Sequence, residues 1–229
     1  KVAGVTMTLP SKARVVIIGG GIVGCSIAFH LGKLGWSDTV LLERKKLTSG
    51  TTWHAAGLVR ASLYTENLTK LAKYTVDLYT GLEAETGQAT GFVQPGSLSI
   101  ATNAERFEEL LRGMDMLHAF DVPAEKVTAQ QCQEKWPLLN ISDVLGGVFY
   151  SKDGKCNPAD TTMALARGAR MKGVKIFEDT KVEDVLVENG RAVGVRTPEG
   201  TIKADTVVCA SGMWSREIGA KLGVNIPLH

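Results

Sequence analysis

Val15-Val16-Ile17-Ile18-Gly19-Gly20-Gly21-Ile22-Val23-Gly24 decides the fold of this 229-residue chain. Four consecutive β-branched residues predict a strand buried on both faces, since a parallel strand covered by helices needs no polar alternation. The three glycines that follow cannot extend it. Val23, Ile27, Leu31 and Leu34 then recur at helical spacing, and Gly35 stops the helix. Thr39–Leu42 reads as a second buried strand. The opening is therefore a β-α-β unit with the right-handed crossover that parallel strands require.

The same stretch is a G-x-G-x-x-G between a strand and a helix. Gly19 permits the tight turn, Gly21 admits a pyrophosphate close to the backbone, and Gly24 lets helix and strand pack. The amides of Ile22 and Val23 add donors at the positive end of the helix dipole. Glu43 stands 19 residues past Gly24 at the end of the second strand, where a carboxylate binds both hydroxyls of a ribose. An acid there disfavours a 2′-phosphate and leaves NAD and FAD. Beyond it, Leu47-Thr48-Ser49-Gly50-Thr51-Thr52-Trp53-His54-Ala55-Ala56-Gly57-Leu58 reads as an ordered loop entering a helix. Its amides and hydroxyls suit a second pass along the cofactor, which favours FAD.

Leu68, Leu71, Ala72, Thr75, Leu78 and Leu82 form one face of a long helix closed by Gly87. Phe92 to Thr102 reads as a strand pair around Pro95-Gly96. Thr102 and Glu105 read as a capping box for a helix with Phe107, Leu110, Leu111, Met114 and Leu117 inward. A short helix ends at Trp136-Pro137, and Gly147–Tyr150 is a strand. Asn157 caps a helix with Pro158 at its first position, and Gly173 ends it. Val182–Glu188 and Ala192–Thr197 join at Asn189-Gly190, a type I′ hairpin signal. Pro198-Glu199-Gly200 turns into a third strand, and Thr206–Cys209 reads as a further buried strand that returns to the first domain.

The expected fold is α/β: a Rossmann-like domain with an inserted three-stranded meander, plus part of an antiparallel α+β substrate domain. The expected boundaries are 14–87 and 154–224 for the two parts of the cofactor domain and 88–153 for the substrate-side portion. Residues 225–229 begin a further substrate-domain segment.

Lys and Arg total 26 against 24 Asp and Glu, which lacks the basic footprint of a nucleic-acid binder. With 44% hydrophobic and 22% charged residues, the chain has the composition of a globular protein. No apolar run approaches the roughly 18–20 residues needed to span a bilayer. Residues 1–13 show neither a signal-peptide core nor an Arg-rich amphipathic pattern. Met7 reads as the natural start. Cys25, Cys132, Cys156 and Cys209 form no C-x-x-C pair, so no metal site is expected, and they read as reduced thiols. The expected compartment is the bacterial cytoplasm or, in a eukaryote, the mitochondrial matrix.

Several stretches together resemble the D-amino-acid-oxidase-like flavoproteins, in the dimethylglycine and sarcosine dehydrogenase branch. These are Val16-Ile17-Ile18-Gly19-Gly20-Gly21, Leu41-Leu42-Glu43-Arg44, the 47–58 loop, Glu85-Thr86-Gly87-Gln88, Gln94-Pro95-Gly96-Ser97, Trp136-Pro137-Leu138-Leu139 and Ala210-Ser211-Gly212-Met213-Trp214. The Trp-His loop is the most specific of them. The resemblance implies that His54 carries FAD covalently through the flavin 8α carbon. It places Arg44, Gly50, Thr51, Thr52, Trp53, Ala55, Ala56, Gly57, Leu58 and Gly212 in the cofactor site and Trp214 near the flavin. Val182, which opens the strand after the excursion into the second domain, is expected to reach the adenine side through its backbone.

The resemblance further implies oxidative demethylation of a small N-methyl amino acid, dimethylglycine or sarcosine, with hydride passing to flavin N5. Electron-transfer flavoprotein or oxygen would be the acceptor. The alternatives are an oxidase such as one acting on 4-methylaminobutanoate, or a non-catalytic relative like the regulatory subunit of pyruvate dehydrogenase phosphatase. The family's active-site residues, its last FAD-binding stretch and any tetrahydrofolate-binding region are expected beyond His229. The chain is read as the N-terminal part of such an enzyme, inactive alone and partnered by its remainder.

Overall fold

The computed structural model describes residues 8–63 and 65–228; Met7 and His229 lie outside them. In chain order the elements are β1 (Lys12–Ile18), α1 (Ile22–Lys33), β2 (Thr39–Leu42), β3 (Leu58–Val59), α2 (Glu66–Thr86), β4 (Ser97–Ala101), α3 (Ala104–His118), β5 (Glu125–Val127) and α4 (Ala129–Lys135). Then come β6 (Gly146–Tyr150), β7 (Gly154–Lys155), α5 (Pro158–Met171), β8 (Lys175–Phe177), β9 (Asp184–Glu188), β10 (Arg191–Thr197), β11 (Gly200–Cys209) and α6 (Ser215–Lys221). They divide into two compact units. The first comprises Lys1–Ala55, Glu83–Ala89 and Pro158–His229; the second comprises Ala56–Leu82 and Thr90–Asn157. Segment 56–82 is thus grouped with the second unit.

The first unit is built on a six-stranded sheet of order β8-β2-β1-β11-β10-β9. β1 and β2 are parallel, with Val15 opposite Thr39 and Ile18 opposite Leu42. All four residues of β2 are buried, as a strand covered on both faces requires. The meander is continuous with this sheet. Its third strand and the segment Thr206–Cys209, expected as separate strands, are the single strand β11. Gly200 pairs antiparallel with Thr197 of β10, while Thr206 and Cys209 run parallel to Val15 and Ile18 of β1. Thr206 and Cys209 are exposed rather than buried; the end of this strand borders a cavity described below. Asn189 and Gly190 both have positive φ, 49° and 75°, which the type I′ hairpin demands. Ala13, Val16, Ile18, Val40, Leu42, Phe177, Val195, Ile202 and Ala204 form the core of the sheet.

Helix α1 buries a different face from the one its large residues mark. Gly24, Cys25, Ala28, Phe29 and Gly32 are inside, whereas Val23 and Leu34 are exposed. The cause is close packing on α5. A Cβ on Gly168 would stand 2.5 Å from the Phe29 ring, and one on Gly32 would stand 2.8 Å from Lys172 Cβ. A face of small residues brings the two helix backbones together.

The second unit carries the antiparallel sheet β4-β6-β5, covered by the face of α3 marked by Phe107, Leu110, Leu111, Met114 and Leu117. Three local expectations are corrected. The cap of α3 is Asn103, whose side chain accepts from Arg106 N–H, and the capping box belongs to α4, between Thr128 and Gln131. Phe92–Thr102 is not a hairpin. Val93 pairs with Lys155, and β4 pairs with β6. On α2, Ala72 and Leu82 are buried, but Leu68 and Leu71 are exposed. Thr69 goes inside instead, because its hydroxyl is satisfied by the Leu63 carbonyl at 2.7 Å. Asp153, 2% exposed, pins the unit's loops. It accepts from Ala61 N–H (2.8 Å), Ser62 N–H (3.2 Å), Ser62 Oγ (2.8 Å) and Ser97 Oγ (2.6 Å).

Among the described residues no helix is long and apolar enough to cross a membrane, and no cluster of three or more His, Cys, Asp or Glu side chains could hold a metal ion. The four cysteines are free thiols.

Candidate cofactor-binding site

The turn between β1 and α1 is held by contacts that exclude any Cβ. Gly19 has φ +112°, and a Cβ there would meet the Ala210 carbonyl oxygen at 2.4 Å. A Cβ on Gly24 would fall 1.9 Å from the Gly19 carbonyl oxygen. Glu43 ties the turn to the end of β2. Its Oε2 accepts from Gly20 N–H at 2.7 Å, and its Oε1 accepts from Lys45 N–H at 2.8 Å. Gly21 supplies no side-chain cap to α1. Instead Ile22 N–H donates to the buried Thr52 hydroxyl at 3.0 Å.

Around this turn the first unit encloses a cavity of about 410 Å³, within the range of small-molecule and cofactor sites. Of the residues singled out by sequence, Gly19, Gly21, Ile22, Val23, Glu43, Arg44, Gly50, Thr51, Thr52, Val182, Gly212 and Trp214 line it. Gly24 is buried behind the turn. The Arg44 guanidinium lies over the Trp214 ring at 4.0 Å, and a Cβ on Gly50 would touch the same ring at 3.3 Å. Trp214 therefore sits with Arg44 and Gly50 in the wall that includes Glu43.

Trp53, His54 and Ala55 are not part of the lining. Thr52–His54 is one short 3-10 turn that begins in the cavity wall and ends exposed. The Trp53 and His54 rings are 3.7 Å apart, centroid to centroid, and tilted by 34°. Ala56, Gly57 and Leu58 belong to the second unit. There the Gly57 carbonyl accepts from Cys156 N–H at 2.9 Å, and Leu58 pairs with Lys155.

The lining also includes residues not assigned individually to the site from sequence, among them Gly20, Ser49, Ala210 and Ser211, which lie within the motif stretches quoted above, and Lys181, Cys209, Ser215, Glu217 and Ile218, which do not. Cys209, Ala210 and Ser211 follow the rule that ligands sit at the carboxyl ends of parallel strands, and that rule would have found them. Lys181, Glu217 and Ile218 carry no local signal. Behind the turn, burial pushes the Cys25 thiol up to about 12, and its Sγ lies 3.7 Å from the Gly20 carbonyl oxygen.

A phosphate-bearing dinucleotide fits this donor set. The glycine turn leaves the backbone bare at the N-terminus of α1, where anions are favoured, and Arg44 and Lys181 bring positive charge to a lining that also holds Glu43 and Glu217. Residues 14–229 match the FAD dependent oxidoreductase family (DAO). The chain belongs to this family. It is 43% identical over 221 residues to 4-methylaminobutanoate oxidase (formaldehyde-forming) of Paenarthrobacter nicotinovorans, covering 96% of this chain and 27% of that protein. It is 41% identical over 217 residues to mitochondrial dimethylglycine dehydrogenase of Rattus norvegicus, covering 95% of this chain and 25% of that one. The chain thus spans about a quarter of the length of these curated relatives. Among solved structures, L-proline dehydrogenase from P. horikoshii superposes with a TM-score of 0.88 at 34% identity, over 94% of this chain and 57% of that one.

Proposed function

We propose that the chain is the dinucleotide-holding part of an FAD-dependent oxidoreductase of small N-methyl amino acids, dimethylglycine or sarcosine, with His54 as the point of covalent attachment. The observation that carries the reading is the glycine-walled cavity whose 49–52 wall runs directly into the exposed Trp53-His54 turn. Gly19, Gly21, Gly24 and the first turn of α1 at Ile22 and Val23 receive the pyrophosphate, with the Ile22 N–H held by Thr52, and Glu43 receives the adenosine ribose. Arg44 and the Val182 backbone close on the adenosine side, while Gly50, Thr51 and Thr52, with Trp214 and Gly212 beside them, follow the cofactor toward the flavin and His54. Ala55, Ala56, Gly57 and Leu58 carry the chain onward from the attachment point. The first unit is assigned to the cofactor, and the second, Ala56–Leu82 with Thr90–Asn157, to the substrate side.

When bound, FAD supplies the hydride acceptor at N5 and, at its 8α methyl, a carbon to which an imidazole can bond. Loss of hydride from the N-methyl carbon leaves an iminium, which water converts to formaldehyde and the demethylated amine or tetrahydrofolate captures. The groups that bind and orient the amine are assigned to the substrate side beyond this chain. Electron-transfer flavoprotein or oxygen takes the electrons, in the bacterial cytoplasm or the mitochondrial matrix.

The test is anaerobic mixing of the holoenzyme with sarcosine, dimethylglycine or 4-methylaminobutanoate. Bleaching of the visible flavin band, with formaldehyde formed in equal amount, supports the reading, and the fastest amine identifies the substrate. A flavin that no methylated amine bleaches would turn the assignment to a regulatory role, like that of the mitochondrial pyruvate dehydrogenase phosphatase regulatory subunit of Mus musculus, to which the chain is 38% identical over 226 residues.

A further inference from the structure

We propose that Thr52 is a positioning residue that couples the pyrophosphate end of the site to His54, so that covalent attachment depends on how the helix N-terminus is occupied. The inference rests on the reading of His54 given above. Thr52 is 8% exposed, and its hydroxyl accepts from Ile22 N–H at 3.0 Å. That N–H belongs to the first residue of α1, whose cap residue Gly21 has no side chain to offer. A Cβ on Gly21 would stand 3.0 Å from the same hydroxyl oxygen, so the glycine also makes room for this bond.

Thr52 opens the turn that presents the imidazole. Its carbonyl accepts from Ala55 N–H at 3.1 Å, and the Thr51 carbonyl accepts from His54 N–H at 3.2 Å. One side chain therefore fastens the His54 turn to the helix end where an anion is favoured. A pyrophosphate seated there acts on the amide that Thr52 holds, and any shift passes to the imidazole through two residues of hydrogen-bonded turn. Attachment joins an imidazole nitrogen to the flavin 8α carbon. The imidazole N–H proton and one 8α proton leave and are taken up by the flavin ring with the electron pair, so no outside oxidant enters.

The test follows reconstitution of full-length apoprotein with saturating FAD. Flavin retained by acid-precipitated protein gives the attachment rate, and quenching of flavin fluorescence gives non-covalent binding separately. Thr52→Val keeps the shape and removes the acceptor, and Thr52→Ser keeps the acceptor. Thr52→Cys, whose thiol accepts weakly, serves as the second variant should Thr52→Val not fold. The Val and Cys variants should bind FAD yet attach it about tenfold more slowly, the equivalent of one lost hydrogen bond, and Thr52→Ser should match wild type. A wild-type rate in Thr52→Val, or in the weakly accepting Thr52→Cys should Thr52→Val not fold, overturns the proposal, as does a slowing that saturating FAD abolishes. Wild-type protein that attaches no flavin defeats the reading of His54 and this inference with it. Normal wild-type attachment alongside an unaffected Thr52→Val defeats the role of Thr52 alone.

Discussion

Replacing Glu43 separates what this residue does for the fold from what it does for the cofactor. Its two oxygens accept from different main-chain donors, Gly20 N–H and Lys45 N–H. A carboxylate serves both and keeps lone pairs for a ribose. An amide cannot, since its nitrogen would face a donor. Hydrogen bonds to charged groups contribute about 1.5–3 kcal/mol. Glu43 is half-buried and its bond to Lys45 is exposed, so the lower end applies to Gly20 and less to Lys45. Glu43→Gln should therefore cost the apoprotein about 1 kcal/mol and Glu43→Ala about 2 kcal/mol, read as urea midpoints. The ribose contacts add a further loss of about tenfold or more in FAD affinity, measured by titration in a His54→Ala background where no covalent bond masks it. A wild-type urea midpoint for Glu43→Ala would refute the tether between turn and strand. Unchanged FAD affinity in the double variant would refute the ribose role.

Gly24→Ala should lower the unfolding temperature and, in a His54→Ala background, weaken FAD binding. Its Cβ would lie 1.9 Å from a backbone oxygen, and such overpacking costs about 1–3 kcal/mol; a wild-type melting curve would contradict the packing described. Asp153→Ala strands two backbone amides and two hydroxyls in the second unit, and should cost about 3 kcal/mol in chemical denaturation. Iodoacetamide should label the exposed Cys209 in native protein, and reach Cys25 and Cys132, whose thiols burial pushes upward, only after unfolding. Equal labelling of Cys25 and Cys209 in the folded state would show that the glycine turn opens freely.

The β1-α1-β2 opening was legible because buried parallel strands leave unbroken apolar runs and the glycine spacing has one structural use there. The inner face of α1 was not, since Gly24, Ala28 and Gly32 pack by being small, and hydrophobic periodicity is blind to small residues. The dual pairing of β11 is equally silent in sequence, because a strand with an antiparallel partner at one end and a parallel one at the other needs no special composition. β8 is three residues long, too short for periodicity to register. In the site, the glycine turn, Glu43 and residues 50–52 were readable from local chemistry. Lys181, Glu217 and Ile218 reach the cavity only through the tertiary fold.

The covalent link is the point on which the account can be tested most directly. Holoprotein should be precipitated in acid, digested with trypsin and analysed by mass spectrometry. The account predicts yellow protein, with peptide 47–60 carrying one flavin mass fragmenting at His54, and no flavin on that peptide in His54→Ala. Release of all the flavin into the acid supernatant, with peptide 47–60 recovered at its unmodified mass, would contradict it.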